Sequence, residues 1–427
     1  MLMVETEIRR IQVVDSINAK IQLPPSKSYT NRALIAAALA DGSSTIQNPS
    51  CGDDSQYLIQ ALRDLGIIID EQPSCLMIEG TNGIIRPSSK ELFIGNAGTA
   101  MRFLTSLAAL VRGETVLTGD DQMLKRPIND LLDAIRAAGI RCESANGFPP
   151  VKIHGGNFVG GYINMKASIS SQFVSSILLA APYANHTVNL HMVGKVSSMP
   201  YIDMTLHVMR EFGGQVDFIA PSTYIIHNTE RYIGHTQTIE SDASSATYFG
   251  AAAAITGGHV EFSNLSTDSL QGDIRFLEIL AQMGCRVSER DGTVSVQGGD
   301  LIGIEIDMND LPDCVPTLAI AAMFARGSTT ITNIGHLKFK ESDRLKALSV
   351  EMAKLGAKIE LSDDSITIHP RSLHGATIET YNDHRMAMSF AVAGLRVPGV
   401  IINNPNCVTK SFPNFWEEFQ KLESKAS

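Results

Sequence analysis

Basic side chains recur in this sequence where helices are predicted to begin. The first turn of a helix already carries about half a positive charge from its unpaired amide groups, so lysine and arginine are unfavourable there unless an anion binds. Free amide groups combined with lysine and arginine form phosphate or carboxylate sites. The pattern therefore predicts one or more ligands with several negative charges. The cations in question are Lys27, Arg32, Arg102, Arg126, Lys340, Arg344, Arg385 and Lys410.

Small polar residues occupy the same helix starts. Serine, threonine, asparagine and aspartate commonly cap helices, and capping is the simpler interpretation for any one of them. Capping does not explain why cations recur beside them. The polar runs cover 26–32, 95–102, 168–172, 241–245 and 382–385.

Two acidic residues stand within this cationic pattern. Asp313 precedes an apolar helix, and Glu341 lies directly after Lys340 and three residues before Arg344. A helix cap for Asp313 and an exposed ion pair for Glu341, worth under about 1 kcal/mol, are the structural alternatives. The chemical interpretation is a general base and a general acid in a cationic cleft. His384 is either a further proton carrier or a structural histidine.

The elements that must position these residues follow a repeat of about 72 residues. Five amphipathic helices end at a glycine that opens a strand–turn–strand segment, and a left-handed cap is expected at each. A second series of β-branched strands follows alanine-rich helices that are apolar almost all round and should be buried. The glycines are Gly66, Gly139, Gly213, Gly284 and Gly356, and the strands are centred on Ile46, Val116, Val188, Val260, Ile331 and Ile401.

The repeat unit is predicted to be helix, strand, helix, strand, strand, and six units are expected in an α/β protein. The sixth unit lacks its strand pair after the helix at 412–422, and a matching pair occurs at the amino end in residues 8–23. We expect two domains of three units each. One combines residues 1–24 and 241–427, with the terminal strands closing the last unit, and the other is 25–240.

Composition excludes several classes of protein. With 44% apolar and 19% charged residues, the 427-residue chain is not of a disordered type. A net charge of −10 disfavours general nucleic-acid binding. The six cysteines are scattered without a C-x-x-C pair, so neither a zinc site nor a disulfide framework is indicated. No stretch suits a signal peptide or a membrane span, and we expect a reduced, cytoplasmic protein.

Eight motifs lie in order between residues 21 and 416: LPPSKSYTNRALIAAALA, GNAGTAMR, KRPI, SISSQF, PYIDMTL, KESDR, YNDHRMAM and NCVTKSFPNF. They resemble the motifs of the 5-enolpyruvylshikimate-3-phosphate synthase family and occur in the family's order. The resemblance implies the family's fold, an inside-out α/β barrel built from six repeated units in two domains, as in enolpyruvyl transferases.

The resemblance implies transfer of the enolpyruvyl (1-carboxyvinyl) group from phosphoenolpyruvate to the 5-hydroxyl of shikimate 3-phosphate, with release of phosphate, in aromatic amino-acid biosynthesis. Such a reaction runs by addition, through a tetrahedral intermediate, and then elimination, so it needs both an acid and a base. Each substrate carries a phosphate and a carboxylate, which matches the cations. The resemblance implies no metal and no organic cofactor, only small-molecule partners, no nucleic acid or membrane, and a monomer.

Site residues are implied motif by motif. Asp313 would accept the hydroxyl proton and Glu341 would protonate the methylene carbon. The catalytic set is Asp313, Glu341, Lys27 and His384. The set for shikimate 3-phosphate is Lys27, Ser28, Arg32, Ser170, Ser171, Gln172, Ser198, Tyr201, Asp313, His336 and Lys340. The set for phosphoenolpyruvate is Lys27, Asn96, Gly98, Thr99, Arg126, Gln172, Arg344, Arg385 and Lys410.

Four positions depart from the family's commonest pattern. His336 stands where many members have an asparagine that contacts shikimate 3-phosphate. Met199 replaces a frequent lysine and Asn382 a frequent aspartate. Phe103 replaces a frequent proline beside the pocket that glyphosate occupies in this family.

Three alternatives remain at this point. The sister family that transfers enolpyruvyl to UDP-N-acetylglucosamine shares the fold but typically carries a cysteine acid in a loop that here, at 119–126, has none. An RNA-end-processing or RNA-binding protein on a related fold would have to bind a polyanion with a net charge of −10 and one tryptophan. A non-catalytic ligand-binding relative would need neither Asp313 nor Glu341.

Overall fold

The computed structural model describes residues 7–423. Within that range the helices and strands alternate along the chain without a long irregular segment. The helices are α1 (Lys27–Leu39), α2 (Asp53–Asp64), α3 (Gly98–Ala108), α4 (Asn129–Ala137), α5 (Ser171–Ala180), α6 (Pro200–Glu211), α7 (Ala243–Thr256), α8 (Phe276–Gln282), α9 (Val315–Ala322), α10 (Arg344–Lys354), α11 (His384–Gly394) and α12 (Phe415–Glu423).

The strands are short, and most have two to six residues. They are β1 (Ile8–Arg10), β2 (Asn18–Ile21), β3 (Ser43–Gln47), β4 (Ile68–Gln72), β5 (Cys75–Glu79), β6 (Leu92–Phe93), β7 (Gly113–Thr118), β8 (Arg141–Ala145), β9 (Phe148–Gly155), β10 (Gly161–Lys166), β11 (Val188–Val193), β12 (Val216–Ile219), β13 (Thr223–Ile226), β14 (Thr236–Thr238), β15 (His259–Phe262), β16 (Arg286–Arg290), β17 (Thr293–Gln297), β18 (Glu305–Asp307), β19 (Thr329–Thr332), β20 (Lys358–Leu361), β21 (Ser365–His369), β22 (Thr377–Ile378) and β23 (Ile401–Asn403).

The chain divides into two compact units. We call Pro25–Glu240 the internal unit, and the segments before and after it, up to Pro24 and from Ser241 onward, the terminal unit. Each unit has its own hydrophobic core. Among the described residues no helix combines the length and the apolar character that crossing a membrane requires.

The sheets reproduce the repeat and correct it in one respect. The internal unit holds sheets of order β14-β3-β5-β4, β6-β7-β9-β8 and β10-β11-β13-β12, and the terminal unit holds β2-β15-β17-β16, β18-β19-β21-β20 and β22-β23-β1. Among the described residues, five of the six sheets have an edge strand, parallel to its neighbour, that the predicted pattern omits; in the sixth this strand is β2, which the pattern includes. In β6 this strand has only two residues. Such a strand is too short to show the alternation from which strands are recognised.

The prediction that both amino-terminal strands close the last unit is half wrong. β1 does pair with β23, antiparallel, with Ile8 opposite Asn403. β2 instead pairs in parallel with β15, in the sheet of the fourth repeat. The strand that leads into α7, β14, correspondingly pairs with β3 in the internal unit. β2 therefore belongs to the terminal unit, although the chain enters the internal unit directly after it. β14 likewise belongs to the internal unit, although the chain returns to the terminal unit directly after it.

The alanine-rich helices form the centre of each unit, as predicted. All residues of α7 are buried, and so are all but one residue of α1. Equivalent positions of neighbouring helices touch: Ser106 Oγ lies 2.5 Å from Ser176 Oγ, and Thr317 Oγ1 lies 3.2 Å from Ser389 Oγ. Parallel helices packed in this register begin at the same level. The polar helix starts of one unit are therefore brought side by side.

The five glycines predicted to cap the amphipathic helices have left-handed backbone. Their φ values lie between 85° and 112°. Each follows the second helix of a repeat and lets the chain reverse into the hairpin strands. These glycines explain why the repeat spacing is so regular.

Candidate active site

The starts of α3 and α5 are neighbours in the internal unit. Ser170 caps α5 by accepting a hydrogen bond from Gln172 N at 3.2 Å. Gln172 in turn donates from Nε2 to Thr99 Oγ1 at 3.2 Å. Ser171, in the first turn, is buried. Hydroxyls, an amide and unpaired backbone N–H groups thus share one patch, which suits an anion.

Arg126 lies directly against the start of α3. Its Nη1 donates to the side-chain oxygen of Asn96 at 3.2 Å and to the Asn96 carbonyl at 3.3 Å. A β-carbon at Gly98 would stand 2.6 Å from Arg126 Nη2. Glycine at this position therefore allows the guanidinium to lie over the backbone. Asn96 is itself fixed by Gln122, whose Oε1 accepts from Asn96 Nδ2 at 2.6 Å.

Arg102 supports this arrangement from within the core. It is buried, and it donates to the carbonyls of Gly98 and Pro127, each at 3.2 Å. The argument that a cation at a helix start requires an anion therefore does not hold for Arg102, because protein carbonyls accept its hydrogen bonds.

Lys27 begins α1 and pairs with an aspartate that sequence reasoning missed. Its Nζ lies 2.9 Å from Oδ2 of Asp54, which is buried in the first turn of α2. The carboxylate fixes the ammonium group at the helix start. The signal was present in the sequence, since Asp53 and Asp54 both stand at the beginning of an amphipathic helix.

Arg32 lies one turn further along α1 and is almost fully buried, at 1% exposure. Its Nε donates to Thr205 Oγ1 at 2.7 Å, and its terminal nitrogens donate to the carbonyls of Ser28 and Tyr201, each at 2.9 Å. Burial lowers the pKa of Arg32 to about 10. Its guanidinium also lies over the rings of Phe103 and Tyr201. Arg32 thus ties α1 to α6, and contact with a ligand stays a prediction for it.

Ser198 precedes α6 with a strained backbone. Its φ is 60°, in the left-handed region that serine rarely adopts, and its side chain is buried. Such strain persists where the surroundings fix it, and it clusters at functional sites. Tyr201, three residues further, lies half-buried in the first turn of α6.

In the terminal unit, Asp313 lies between two arginines. Its Oδ1 accepts from Arg344 Nη1 at 2.9 Å, and its Oδ2 accepts from Arg385 Nη2 at 2.7 Å. Burial opposes a charge on Asp313, but Arg385, Lys340 and Arg344 outweigh it and hold the pKa of Asp313 well below its usual value. Asp313 is therefore ionised at neutral pH and able to accept a proton.

Arg344 joins three carboxylates. Besides Asp313, it donates from Nη2 to Glu341 Oε2 at 2.7 Å and from Nε to Asp383 Oδ2 at 2.8 Å. Burial disfavours the charged guanidinium, yet Asp383, Glu341 and Asp313 together raise the pKa of Arg344 above its usual value. The candidate base and the candidate acid thus share one buried cation.

Asp383 organises the start of α11, and sequence reasoning did not single it out. It caps the helix by accepting from Arg385 N at 3.0 Å, and it accepts from Ser342 Oγ at the same distance. His384 is buried beside it, with Nδ1 at 3.6 Å from Asp383 Oδ1. Arg385 also donates to the Tyr248 hydroxyl at 3.1 Å, a contact between residues 137 positions apart that no local pattern reveals.

Three other predicted cations or donors lie on segments around this group. Lys340 is half-buried and acts electrostatically on Asp313. His336 is buried in the 3₁₀ helix Gly335–Phe339, which packs against α10. Lys410 is buried at the end of the 3₁₀ helix Pro405–Lys410, which packs against α11.

A further carboxylate lies behind Asp313. Asp273 is 2% exposed and accepts a hydrogen bond from the Ser244 hydroxyl. Burial, and next the charge of Asp313, raise the pKa of Asp273 above its usual value. Burial followed by the charge of Asp273 likewise raises the pKa of the adjacent Cys314 thiol. Between residues 7 and 423, no group of three or more His, Cys, Asp or Glu side chains is placed to hold a metal ion.

Comparisons with known proteins agree over nearly the whole chain. A family model for EPSP synthase (3-phosphoshikimate 1-carboxyvinyltransferase) matches residues 11–419. The 3-phosphoshikimate 1-carboxyvinyltransferase of Trichormus variabilis is 42% identical over 411 residues, which cover 95% of this chain and 96% of the relative. The enzyme of that name from Methanospirillum hungatei is 44% identical over 412 residues, covering 94% and 95%.

Solved structures give the same result. The EPSP synthase of Acinetobacter baumannii superposes with a TM-score of 0.80 at 28% identity, covering 98% of each chain. The enolpyruvyl transferase NikO from Streptomyces tendae shares the fold, with a TM-score of 0.78 at 18% identity and 97% coverage of both chains. The predicted enolpyruvyl transferase-like α/β fold is thus confirmed. The chain belongs to the EPSP synthase family.

Proposed function

We propose that this chain transfers the enolpyruvyl group of phosphoenolpyruvate to the 5-hydroxyl of shikimate 3-phosphate and releases phosphate. Family membership supports this activity over transfer to UDP-N-acetylglucosamine and over RNA binding. The observation that carries the chemistry is Arg344, which contacts Asp313 and Glu341 at 2.9 and 2.7 Å. A base and an acid on one arginine meet the need of an addition that removes one proton and supplies another.

The start of α5 is proposed to bind the phosphate of shikimate 3-phosphate. Ser170, Ser171 and Gln172 offer hydroxyl, amide and backbone donors there. Ser198 adds a hydroxyl held in strained backbone, and Tyr201 offers an aromatic face for the ring. The remaining predicted contacts to this substrate are Lys27, Ser28, Arg32, Asp313, His336 and Lys340.

Phosphoenolpyruvate is proposed to bind to arginines in two settings. In the internal unit, Arg126 lies over Gly98 and is oriented by Asn96. In the terminal unit, Arg344 and Arg385 both donate to Asp313, and an incoming phosphate or carboxylate would share these donors. The other predicted contacts are Lys27, Thr99, Gln172 and Lys410.

The proton transfers balance with these groups. As the 5-hydroxyl oxygen bonds to the central carbon of phosphoenolpyruvate, its proton passes to the carboxylate of Asp313. Glu341, protonated when the substrates are bound, gives its proton to the methylene carbon, which becomes a methyl group in the tetrahedral intermediate. In the elimination one methyl proton returns to the Glu341 carboxylate and the departing phosphate takes the proton held by Asp313, so the double bond is restored and both carboxyl groups regain their starting states. Burial disfavours a charge on Asp313, but three cations outweigh it and keep its pKa low, so Asp313 is ionised; an incoming anion that takes hydrogen bonds from Arg344 and Arg385 would make this carboxylate a stronger base. His384 is proposed to assist from its buried position beside Asp383.

The test is phosphate release from phosphoenolpyruvate with each of two acceptors. We expect release with shikimate 3-phosphate and none with UDP-N-acetylglucosamine. Release with the second acceptor alone would keep the anion sites but overturn the proposed substrate. If the chain binds phosphoenolpyruvate but releases no phosphate with either acceptor, the transferase activity is refuted. A monomer and a cytoplasmic location are proposed from the family resemblance, and size-exclusion chromatography tests the first.

A further inference from the structure

Two consecutive residues with left-handed backbone lie just before Asp383. Tyr381 has a φ of 55° and Asn382 a φ of 53°. Asparagine tolerates this region, but a bulky residue such as tyrosine is crowded there by its own β-carbon. Such a conformation persists only where surrounding contacts impose it. The turn therefore requires something to hold it.

A fully buried carboxylate holds this turn. Glu351, on α10, accepts from the Tyr381 hydroxyl at 2.7 Å and from the backbone N–H of Glu379 at 3.0 Å. Its side chain has no exposed surface, and Lys354 Nζ lies 2.8 Å from Oε2. The Glu351 carboxylate thus accepts hydrogen bonds both from the Tyr381 side chain and from the backbone of Glu379, two residues earlier. Tyr381 itself is 39% exposed, so its ring is only partly packed.

The position of Glu351 on its helix couples it to the arginine group. Arg344 and Glu351 are seven residues apart on α10, which places them two turns apart on one face. Arg344 pairs with Asp383, while Glu351 holds Tyr381, two residues before Asp383. Helix α10 therefore contacts the segment 379–383 through two residues, Arg344 and Glu351. That segment leads directly into Arg385, whose backbone N–H bonds to Asp383.

We propose that Glu351 is a positioning residue: through Tyr381 it fixes the left-handed turn that sets Asp383 and Arg385 around Asp313. Glu351 touches no reacting atom and acts only through this turn. The expected changes in KM, by which this proposal is tested, rest on the proposed function.

The experiment compares two replacements of Tyr381. Tyr381→Phe keeps the crowded β-carbon but loses the bond to Glu351, and we expect it to raise the KM for phosphoenolpyruvate about tenfold. Tyr381→Gly also loses the bond, yet glycine adopts left-handed backbone without help. We therefore expect Tyr381→Gly to stay within about threefold of the wild type. A merely structural role for the tyrosine side chain predicts the opposite order, because glycine removes more contacts than phenylalanine does.

Two further variants complete the test. Glu351→Leu removes the acceptors of both bonds and should match Tyr381→Phe, while adding Tyr381→Gly to it should restore the KM. Lys354→Gln is the matched control: it removes the lysine partner of Glu351 but leaves both bonds to the turn, so the KM should stay within about twofold. An unchanged KM in Tyr381→Phe, or a larger rise in Tyr381→Gly than in Tyr381→Phe, would overturn the proposal.

Binding of phosphoenolpyruvate, measured from the broadening of its ³¹P resonance, separates this proposal from the proposed function. If the wild type binds phosphoenolpyruvate but does not turn it over, the proposed function fails. The order of affinities among these variants would still decide the positioning role. An order different from that given for KM would refute it.

Discussion

The helix starts of the internal unit and those of the terminal unit offer anions different groups. Around α3 and α5 the donors are hydroxyls, amides and backbone N–H groups, with Gln172 linked to Thr99 and Ser170 capping its helix. Around α9, α10 and α11 the donors are arginines, each already in contact with a carboxylate. The start of α3 also holds Arg126, but there neutral oxygens of Asn96 accept its hydrogen bonds, whereas the arginines around α9, α10 and α11 are paired with carboxylates.

The difference separates binding from proton transfer. Neutral donors orient an anion without changing their own protonation, so they suit a phosphate that must stay in place. A carboxylate among cations can exchange a proton, and its basicity changes when an incoming anion draws those cations away, because the cations hold the pKa of Asp313 low. We therefore expect substitutions at the starts of α3 and α5 to alter KM and substitution of Asp313 to alter kcat.

The largest effect is expected from Asp313→Asn. Removing the base should lower kcat on the order of 10²–10⁴-fold, whereas the affinity for shikimate 3-phosphate should change far less. Asp310→Asn is the matched control, since Asp310 forms a half-exposed ion pair with Arg275 at 3.4 Å. If Asp313→Asn lost kcat and affinity equally, Asp313 would act in binding as much as in proton transfer, and the difference proposed between the two units would be wrong.

Ser171→Ala tests the neutral donors at the start of α5, in the internal unit. Loss of one donor to a charged group should raise the KM for shikimate 3-phosphate about tenfold, with kcat and the KM for phosphoenolpyruvate within about threefold. Steady-state kinetics with each substrate varied in turn supply the values. Ser106→Ala, which removes a buried hydroxyl further along α3, should affect stability rather than either KM. A kcat effect of Ser171→Ala above about a hundredfold would contradict the assignment.

Gly98→Ala sharpens the comparison within the internal unit. The new β-carbon would stand 2.6 Å from Arg126 Nη2, so the guanidinium must move. We expect the KM for phosphoenolpyruvate to rise several-fold, up to about tenfold, with little change for shikimate 3-phosphate. Gly250→Ala, on α7, controls for adding a β-carbon to a helical glycine outside the site, since its nearest neighbour would be the flexible end of Leu280 at 3.1 Å. An effect on shikimate 3-phosphate alone would place Arg126 with the other substrate.

The smallest effect concerns stability against acid. A carboxylate whose folded pKa is lowered contributes stability above its unfolded pKa of about 3.9 and loses that contribution as pH falls toward the folded value. Asp313→Asn should therefore destabilise the chain by about 1–2 kcal/mol at pH 7, a modest loss because 21% of the side chain is exposed. Thermal unfolding of both proteins at several pH values should show the difference shrinking below about pH 4. A difference independent of pH would mean that packing, not charge, is responsible.

The repeat and its two kinds of helix could be predicted because each depends on local sequence. Glycine caps, alanine-rich cores and β-branched strands recur at a fixed spacing. The parallel edge strands other than β2 escaped prediction because some, like β6, have only two residues. The pairing of β2 with β15 escaped because a strand of four residues carries no signal for the sheet that it joins.

The cations of the site were predictable from the charge of a helix start, but their partners were not. Asp54 and Asp383 look like ordinary first-turn acids in the sequence, and only the packing of helices shows that they hold Lys27 and Arg344. Tyr248 lies 137 residues from the arginine it contacts. Arg32 and Arg102 show the limit of the charge argument, because carbonyls of the protein accept their hydrogen bonds.

The points where the internal unit begins and ends carry a consequence for engineering. Ser26 N donates to the Glu240 carbonyl at 2.8 Å, and across the other pair of ends Asp242 N donates to the Pro24 carbonyl at the same distance. The two ends of each unit are thus already adjacent, and neither β2 nor β14 leaves its own unit to complete a sheet. Residues 25–240 are therefore an insertion whose two ends meet, and the chain on either side of it is adjacent as well. A short peptide joining the two ends of either unit would span only a small gap, which makes each unit a natural starting point for circular permutation or exchange between relatives.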